Sequence, residues 1–377
     1  MKLSRFCAIC RKEFIHVIRD PRSLGMAIVI PMIMIILFGY ALTLDIDNVP
    51  MIIFDQSKTD VSRDFINHFK GSRFFLIRGF VDNYDSVEKS INSGNALMAL
   101  VIPTDFAKRI QSGRSTSIQL LVDGSDSNTA TIAISYVNIV TQNYSQNIVI
   151  HNIQRSGGQI PQPPLDIKPR VWYNSELESK NYIIPGLIAV IMMVIAALIT
   201  SLTIAREWER GTMEQLISTP VKTPELILGK LFPYFVIGMF DVLLAVLMGE
   251  FLFKIPLRGN VFLLFIMAAI FLIGALSLGM FISITAKTQL LASQLAMVLT
   301  FLPSFLLSGF MFSTANMPKV IKLITYLVPA RYFIVLLKGI YLKGVGIEVL
   351  WIDIVLLIIF SASILTLANK KFKKKLT

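Results

Sequence analysis

The run Asn181-Tyr-Ile-Ile-Pro-Gly-Leu-Ile-Ala-Val-Ile-Met-Met-Val-Ile-Ala-Ala-Leu-Ile-Thr-Ser-Leu-Thr-Ile-Ala205 carries no charged side chain. At about 1.5 Å of helix per residue it reaches about 37 Å, enough to cross a hydrocarbon core of about 30 Å. It is followed at once by Arg206-Glu-Trp-Glu-Arg-Gly-Thr-Met-Glu-Gln-Leu-Ile-Ser-Thr-Pro220, and then by Leu231 to Gly249, whose one charge is Asp241. A compact charged segment between two apolar spans has no room to form a domain. Arg206 and Glu209, Glu207 and Arg210, and Arg210 and Glu214 stand three or four apart. That spacing predicts a short helix across the membrane surface, laced by its own ion pairs.

Working outward, the whole chain of 377 residues is 54% hydrophobic and 16% charged, which makes it an integral membrane protein. The net charge of +12 is concentrated at the ends. Lys2, Arg5, Arg11, Lys12, Arg19 and Arg22 precede the first span, and Lys370, Lys371, Lys373, Lys374 and Lys375 follow the last. Residues 45–180 hold thirteen basic against fourteen acidic side chains. This is the positive-inside pattern, with both termini cytoplasmic, and it argues against a nucleic-acid surface.

The expected fold is an all-α membrane bundle of six transmembrane helices with an inserted extracytoplasmic α/β domain. Residues 1–22 read as a cytoplasmic amphipathic interface helix, with Leu3, Phe6, Cys7, Cys10, Phe14, Val17 and Ile18 on one face, opposite Arg5, Lys12, Glu13 and Arg19. A targeting or calmodulin-type helix is the alternative. Spans are expected at 23–44, 181–205, 231–249, 259–286, 288–308 and 349–369. The uncharged run Thr288 to Pro318 is too long for one straight span, so it must break near Ser308, at Pro303, Ser308 and Gly309. Residues 309–348 then form re-entrant or extracytoplasmic helices, 206–230 a cytoplasmic coupling loop and 370–377 a basic tail.

In the exported domain, 45–180, strand-like runs (Pro50 to Asp55, Phe74 to Phe80, Ala96 to Pro103, Ser117 to Asp123) alternate with helical patterns (Ser62 to Lys70, Tyr84 to Ser93, Thr104 to Ser112). That alternation predicts a partly parallel sheet, followed by a long helix from about Asn128 to Ile153. Gly157-Gly158 and Pro161, Pro163 and Pro164 make a stiff exit toward the membrane.

Residues able to carry chemistry are few. Cys7 and Cys10 lack the further ligands a zinc site needs, and Asp55, Asp123 and Asp126 read as strand-end or turn carboxylates before they read as a cation site. Asp241 must face the bundle or an aqueous path, paired with Gln294 or a backbone group, or serving a proton or substrate role. His16, His68 and His151 lie far apart in this topology. A P-loop needs a glycine-rich run ending Gly-Lys-Ser/Thr, whereas Gly229-Lys230 is followed by Leu231, so energy must come from another chain.

Arg206-Glu-Trp-Glu-Arg-Gly-Thr-Met-Glu214 with Leu216-Ile-Ser-Thr-Pro220, together with Arg19-Asp-Pro-Arg22 and Pro329-Ala-Arg-Tyr332, resembles the ABC-2 type exporter permeases. The similarity covers nearly the whole chain, and above all the drug- and cation-exporter-like subgroup with a large domain after the first span. The resemblance implies a permease subunit for small amphiphilic molecules, with no cofactor of its own and with ATP and Mg on an ABC ATP-binding subunit. It assigns Glu207, Trp208, Glu209, Arg210, Gly211, Thr212 and Glu214 to coupling, and Phe14, Arg19, Asp20, Pro21 and Arg22 to the interface helix. Asp241, Gln294, Pro303 and Arg331 are candidates for polar bundle or pathway positions. It further implies a second permease copy or paralogue, a periplasmic adaptor, membrane lipid and a bacterial inner membrane location. A lipid or glycoconjugate exporter, a membrane-anchored receptor or scaffold, and an enzyme acting on lipid-linked substrates remain the other readings.

Overall fold

The computed structural model describes residues 2–42, 48–155, 170, 172–174 and 178–372. The Gly-Pro-rich exit at 157–164 and Lys373 to Lys375 lie outside the described residues. Two compact units form, one from Met1–Thr43 with Arg170–Thr377 and the other from Leu44–Pro169.

Helix α1 (Leu3–Arg19) stops at Asp20, and Pro21, whose missing N–H costs nothing in a first turn, starts the next helical run. That run is continuous through α2 (Pro21–Leu24), a π-helical turn (Gly25–Val29) and α3 (Ile30–Ala41), about 30 Å of helix in all. Ala27 and Ile35 face inward while Val29, Ile33 and Leu37 are exposed, so this helix is one-sided.

The unit Leu44–Pro169 is built on a mixed sheet of β1 (Val49–Asp55), β2 (Phe75–Phe80), β3 (Met98–Ile102) and β4 (Gln119–Val122) in the order β2-β1-β3-β4. The β1–β2 and β1–β3 pairs are parallel and β3–β4 is antiparallel. Helices α4 (Asp60–Lys70), α5 (Tyr84–Asn92), α6 (Phe106–Gln111) and α7 (Ser127–Arg155) connect and cover it. Alternate residues serve two cores. Met51, Ile53, Met98, Leu100 and Ile102 pack with Phe65 and Phe69 of α4 and Val137 of α7, while Ile52, Phe54, Ala99 and Val101 pack with Val87 of α5. Burial on both faces is why β3 is apolar throughout. The acidic turns serve these elements. Asp55 accepts from Ser57 N (3.0 Å), Lys58 N (3.0 Å) and Ser62 Oγ (2.7 Å). Asp123 accepts from Ser125 N (2.9 Å), and Asp126 from Asn128 N (3.1 Å) at the start of α7.

The helical unit continues with α8 (Ser179–Glu209), α9 (Thr212–Ser218), α10 (Thr223–Leu247, extended by a π turn to Leu252), α11 (Val261–Ala286) and α12 (Gln289–Leu306). A bent pair follows, α13 (Lys319–Thr325) and α14 (Pro329–Lys338, extended to Lys343), angled by 82°, and then α15 (Ile347–Lys371). Among the described residues five helices are long and apolar enough to cross a membrane, and the bent pair is a sixth candidate. The chain is therefore a predominantly helical membrane bundle.

Helix α8 is buried all round, the pattern of a central helix. α11 packs against it through Gly279, where an added Cβ would stand 2.8 Å from Ala197 Cα. α12 turns Ala292, Ala296, Thr300 and Ser304 inward, four residues apart on one stripe. Small residues on such stripes bring backbones close where lipid removes any hydrophobic drive between helices.

The structure revises the charged segment at 206–220. It is not a rod on its own. Helix α8 runs on through Glu209, Gly211 breaks it in the left-handed region (φ +68°), and α9 begins at Thr212. Residues 223–230, expected in the loop, already belong to α10. Thr223-Pro224-Glu225 starts that helix, with Glu225 Oε2 accepting from Lys222 N at 2.9 Å.

Candidate functional site

Helix α1 lies against α10 through Ile9, Glu13 and Val17, one residue per turn on a single stripe. Of the apolar stripe read from the sequence, Val17 is buried and Phe6 packs on Phe232 of α10 (ring centroids 6.0 Å apart), whereas Phe14 is 41% and Ile18 55% exposed and Glu13, read onto the polar face, is buried instead. The reason is electrostatic. Lys230 of α10 is 1% exposed, and a buried ammonium needs counter-charges within reach. Glu13 Oε1 and Glu207 Oε1 each stand 2.8 Å from Lys230 Nζ. Lys12 Nζ closes the cluster at 3.1 Å from Glu207 Oε1 and 3.6 Å from Glu13 Oε1. Two positive and two negative groups from α1, α8 and α10 thus meet and neutralise one another. Glu207 keeps Oε2 buried with no hydrogen-bond partner.

A second ring of contacts surrounds the cluster. Arg206 Nε donates to Gln289 Oε1 (3.2 Å), and its Nη1 pairs with Asp20 Oδ2 (3.4 Å). Glu209 accepts from Gln289 N (2.7 Å) and from the Gln289 side-chain amide, which anchors the start of α12. Lys287 Nζ sits 5.2 Å from the centre of the Trp208 ring, a cation–π contact. At the other end of the loop, Lys2 N donates to Glu225 Oε1 (2.6 Å) and Arg5 donates to the Pro220 carbonyl.

The ion pairs expected within the segment are therefore replaced. None of Arg206–Glu209, Glu207–Arg210 and Arg210–Glu214 forms among the described residues; Arg206, Glu207 and Glu209 turn to α1, α10 and α12 instead. Arg210 and Glu214 lie on opposite sides of the Gly211 break, which removes their helical spacing. Met213 is fully buried and pins α9, and Thr212 Oγ1 donates weakly to the Glu207 carbonyl (3.4 Å). Arg210, Glu214 and Gln215 are left pointing outward. Sequence reading missed Glu13, Lys230 and Gln289. A lysine at the head of an apolar run was the available signal for the first two.

Residues 21–369 match the family described as ABC-2 family transporter protein. The chain belongs to that family. Among similar proteins, one named "Probable multidrug ABC transporter permease YbhS" from Escherichia coli (strain K12) is 37% identical over 99% of this chain and 97% of its own length. A second from that strain, "Probable multidrug ABC transporter permease YbhR", is 28% identical over 98% and 99%. "Inner membrane transport permease YhhJ", also from that strain, is 24% identical over 86% and 85%.

The other polar candidates of this ABC-2 chain are scattered. Asp241 on α10 is 2% exposed and its Oδ1 has no hydrogen-bond partner among the described residues, while Gln294 is exposed, so the pairing with Gln294 does not form. The small-residue stripe of α12 explains this, because Gln294 lies midway between Ala292 and Ala296 and must point away. Pro303 stays inside α12, which ends at Leu306, and the chain turns at Gly309 (φ +84°). Arg331 is taken up by the bend, donating to Thr325 Oγ1 and stacking 3.9 Å from the Tyr326 ring centre. Of the interface residues, Asp20 pairs with Arg206, Phe14, Arg19 and Pro21 are exposed, and the Arg22 side chain lies outside what is described.

Burial alone pushes the Glu13 carboxyl up, but Lys230, by charge and hydrogen bond, and then Lys12 hold it below the usual carboxylate range. Burial pushes the Lys12 amine down, but Glu207 and Glu13 raise it above its ordinary value. A lowered carboxyl contributes stability above its unfolded pKa of about 4.3 and loses it as pH falls through the folded value, whereas a raised amine contributes below about 10.4 and loses it as pH rises through the folded value. The docking of α1 in this ABC-2 chain is therefore expected to be constant from about pH 5 to 10 and to loosen only beyond those limits. The mobility of a spin label on Cys7 in a Cys10→Ser background reports it. A transition near pH 7 would contradict the assignment.

Proposed function

We propose that this chain is the permease subunit of an ATP-driven exporter of small amphiphilic molecules, drugs or cations, in a bacterial inner membrane. The observation that carries the reading is the Lys230 cluster, which joins α1, the end of α8 and the head of α10 beside the outward-facing Arg210, Glu214 and Gln215. A push on that surface reaches three helices together. An ABC ATP-binding subunit, holding the ATP and Mg, supplies the push, and its two nucleotide states must contact the surface differently to shift the bundle between conformations. The basic termini support a cytoplasmic position for both ends, hence for this site, and an extracytoplasmic one for Leu44–Pro169. A unit of that size suits a periplasmic adaptor. A second copy or paralogue completes the pathway, and the multidrug wording in the relatives' names supports the cargo class.

Inverted vesicles holding the chain with its co-purifying ATPase subunit are expected to accumulate a fluorescent cationic amphiphile only when ATP is present. Glu214→Lys, at an exposed position, is expected to lower that uptake tenfold or more while the yield and helical content of the chain stay unchanged. Uptake by the chain without any ATPase would end the proposal, and so would normal uptake by Glu214→Lys.

A further inference from the structure

A crevice opens between α1 and the bundle, next to the Lys230 cluster, with two adjoining lobes of about 500 and 650 Å³. Lys12, His16, Met26, Arg206 and Arg210 line both lobes, and Arg19 lines the second. Its charge is unbalanced. Lys12 and Lys230 are matched by Glu13 and Glu207, and Arg206 by Asp20. Arg19 and Arg210 have no ionic partner among the described residues, so the crevice holds two cations in excess.

The wall behind those cations is greasy. Met26, Ile199 and Leu202 line the first lobe and Ile15 the second. Next to these lining residues in the chain, Phe14 and Ile18 of α1 and Val29 of the π turn are apolar and exposed. A cationic cup flanked by exposed apolar side chains matches one kind of molecule, an anionic head on hydrocarbon tails. A soluble protein partner would match the cup and leave the apolar surface bare.

We infer that this crevice is a binding site for an anionic phospholipid, its phosphodiester head between Arg19 and Arg210 and its acyl chains along Ile15, Ile18 and Val29. Basic pockets between membrane helices recognise such heads by charge, and arginine adds directed hydrogen bonds to phosphate oxygens. The site lies beside the cluster that ties α1, α8 and α10 together, so occupancy stabilises their packing. The inference does not depend on what the chain transports.

The test uses the full-length chain, purified in neutral detergent and titrated with phosphatidylglycerol under native mass spectrometry. One phosphatidylglycerol per chain is expected to be retained in preference to phosphatidylcholine. Arg19→Ala and Arg210→Ala are each expected to weaken retention about fivefold, the value of one basic residue near an anionic lipid surface, and lysine at both positions to restore most of it. Both side chains are exposed and have no ionic partner among the described residues, so the variants should melt with the parent. Glycerol phosphate, a similar head without tails, is expected to compete poorly. Equal competition by glycerol phosphate would assign the site to a soluble phosphate, and unchanged retention in the double alanine variant would remove the site. Loss of ATPase-subunit binding with lipid retention intact would assign the arginines to that protein, and each of these three results overturns the inference.

Discussion

Lys230→Ala is expected to destabilise the helical unit by about 3–5 kcal/mol, the range seen when one partner of a buried ion pair is removed. Lys230 is 1% exposed and, among the described residues, is the one cation within 3 Å of both Glu13 and Glu207. Without it two carboxylates, 5% and 8% exposed, face each other in a poorly solvated space. Lys12 cannot take over, because its side chain is 56% exposed and it already pairs with both acids from outside. The expected result in a detergent-solubilised thermal melt is a lower midpoint, with α1 released first and ATP-driven export lost with it. The triple variant Glu13→Leu, Glu207→Leu, Lys230→Met should melt close to the parent, because replacing a whole buried ion cluster with apolar groups removes the desolvation cost along with the attraction. A single variant that melts within about 0.5 kcal/mol of the parent, the range of an ordinary surface substitution, would show that the cluster holds nothing together.

Gly279→Leu is expected to leave no folded chain. A Cβ at this position would meet Ala197 Cα at 2.8 Å, and the Ala197 carbonyl and Thr200 hydroxyl closer still. Two of those three neighbours are backbone atoms of α8, which cannot swing aside as a side-chain tip can. Overpacking a core ordinarily costs about 1–3 kcal/mol, and here the extra atoms would have to separate the two most central helices along their contact. The expected outcome on size exclusion is aggregated material in place of a monodisperse peak, with Gly279→Ala intermediate. Gly25→Leu is the control, because nothing lies within 4 Å of its added Cβ. A monodisperse Gly279→Leu chain at parental yield would mean that α8 and α11 do not meet in this way.

Much of the fold was legible because spans and strands are written in one dimension. The run Asn181 to Ala205 falls within α8, the break expected near Ser308 follows the end of α12 at Leu306, and the four strand-like runs each coincide with a strand of the sheet to within two residues at either end. Local rules suffice there, since a bilayer demands a minimum apolar length and a two-sided sheet demands apolar strands. The candidate site was legible only as a neighbourhood. Helical spacing on residues 206–214 paired the charges with one another, and that logic fails once other helices offer partners in a drier place. Glu207 had Arg210 within reach on its own chain segment and took Lys230 and Lys12 instead. Glu13 was assigned to the solvent side of α1 because a carboxylate usually belongs there, and it became the centre of the packed side.

The amino-acid order alone settled that this is a membrane chain of the ABC-2 kind, with a charged joint between two spans, because hydrophobic length, the distribution of lysine and arginine, and a local motif need no knowledge of neighbours. Which face of α1 is buried, which acids share Lys230, and which residues of the joint stay exposed were decided only in three dimensions. Residues separated by 195 and 217 positions come within hydrogen-bond distance there, and the partner that best repays a buried charge is set by where helices cross.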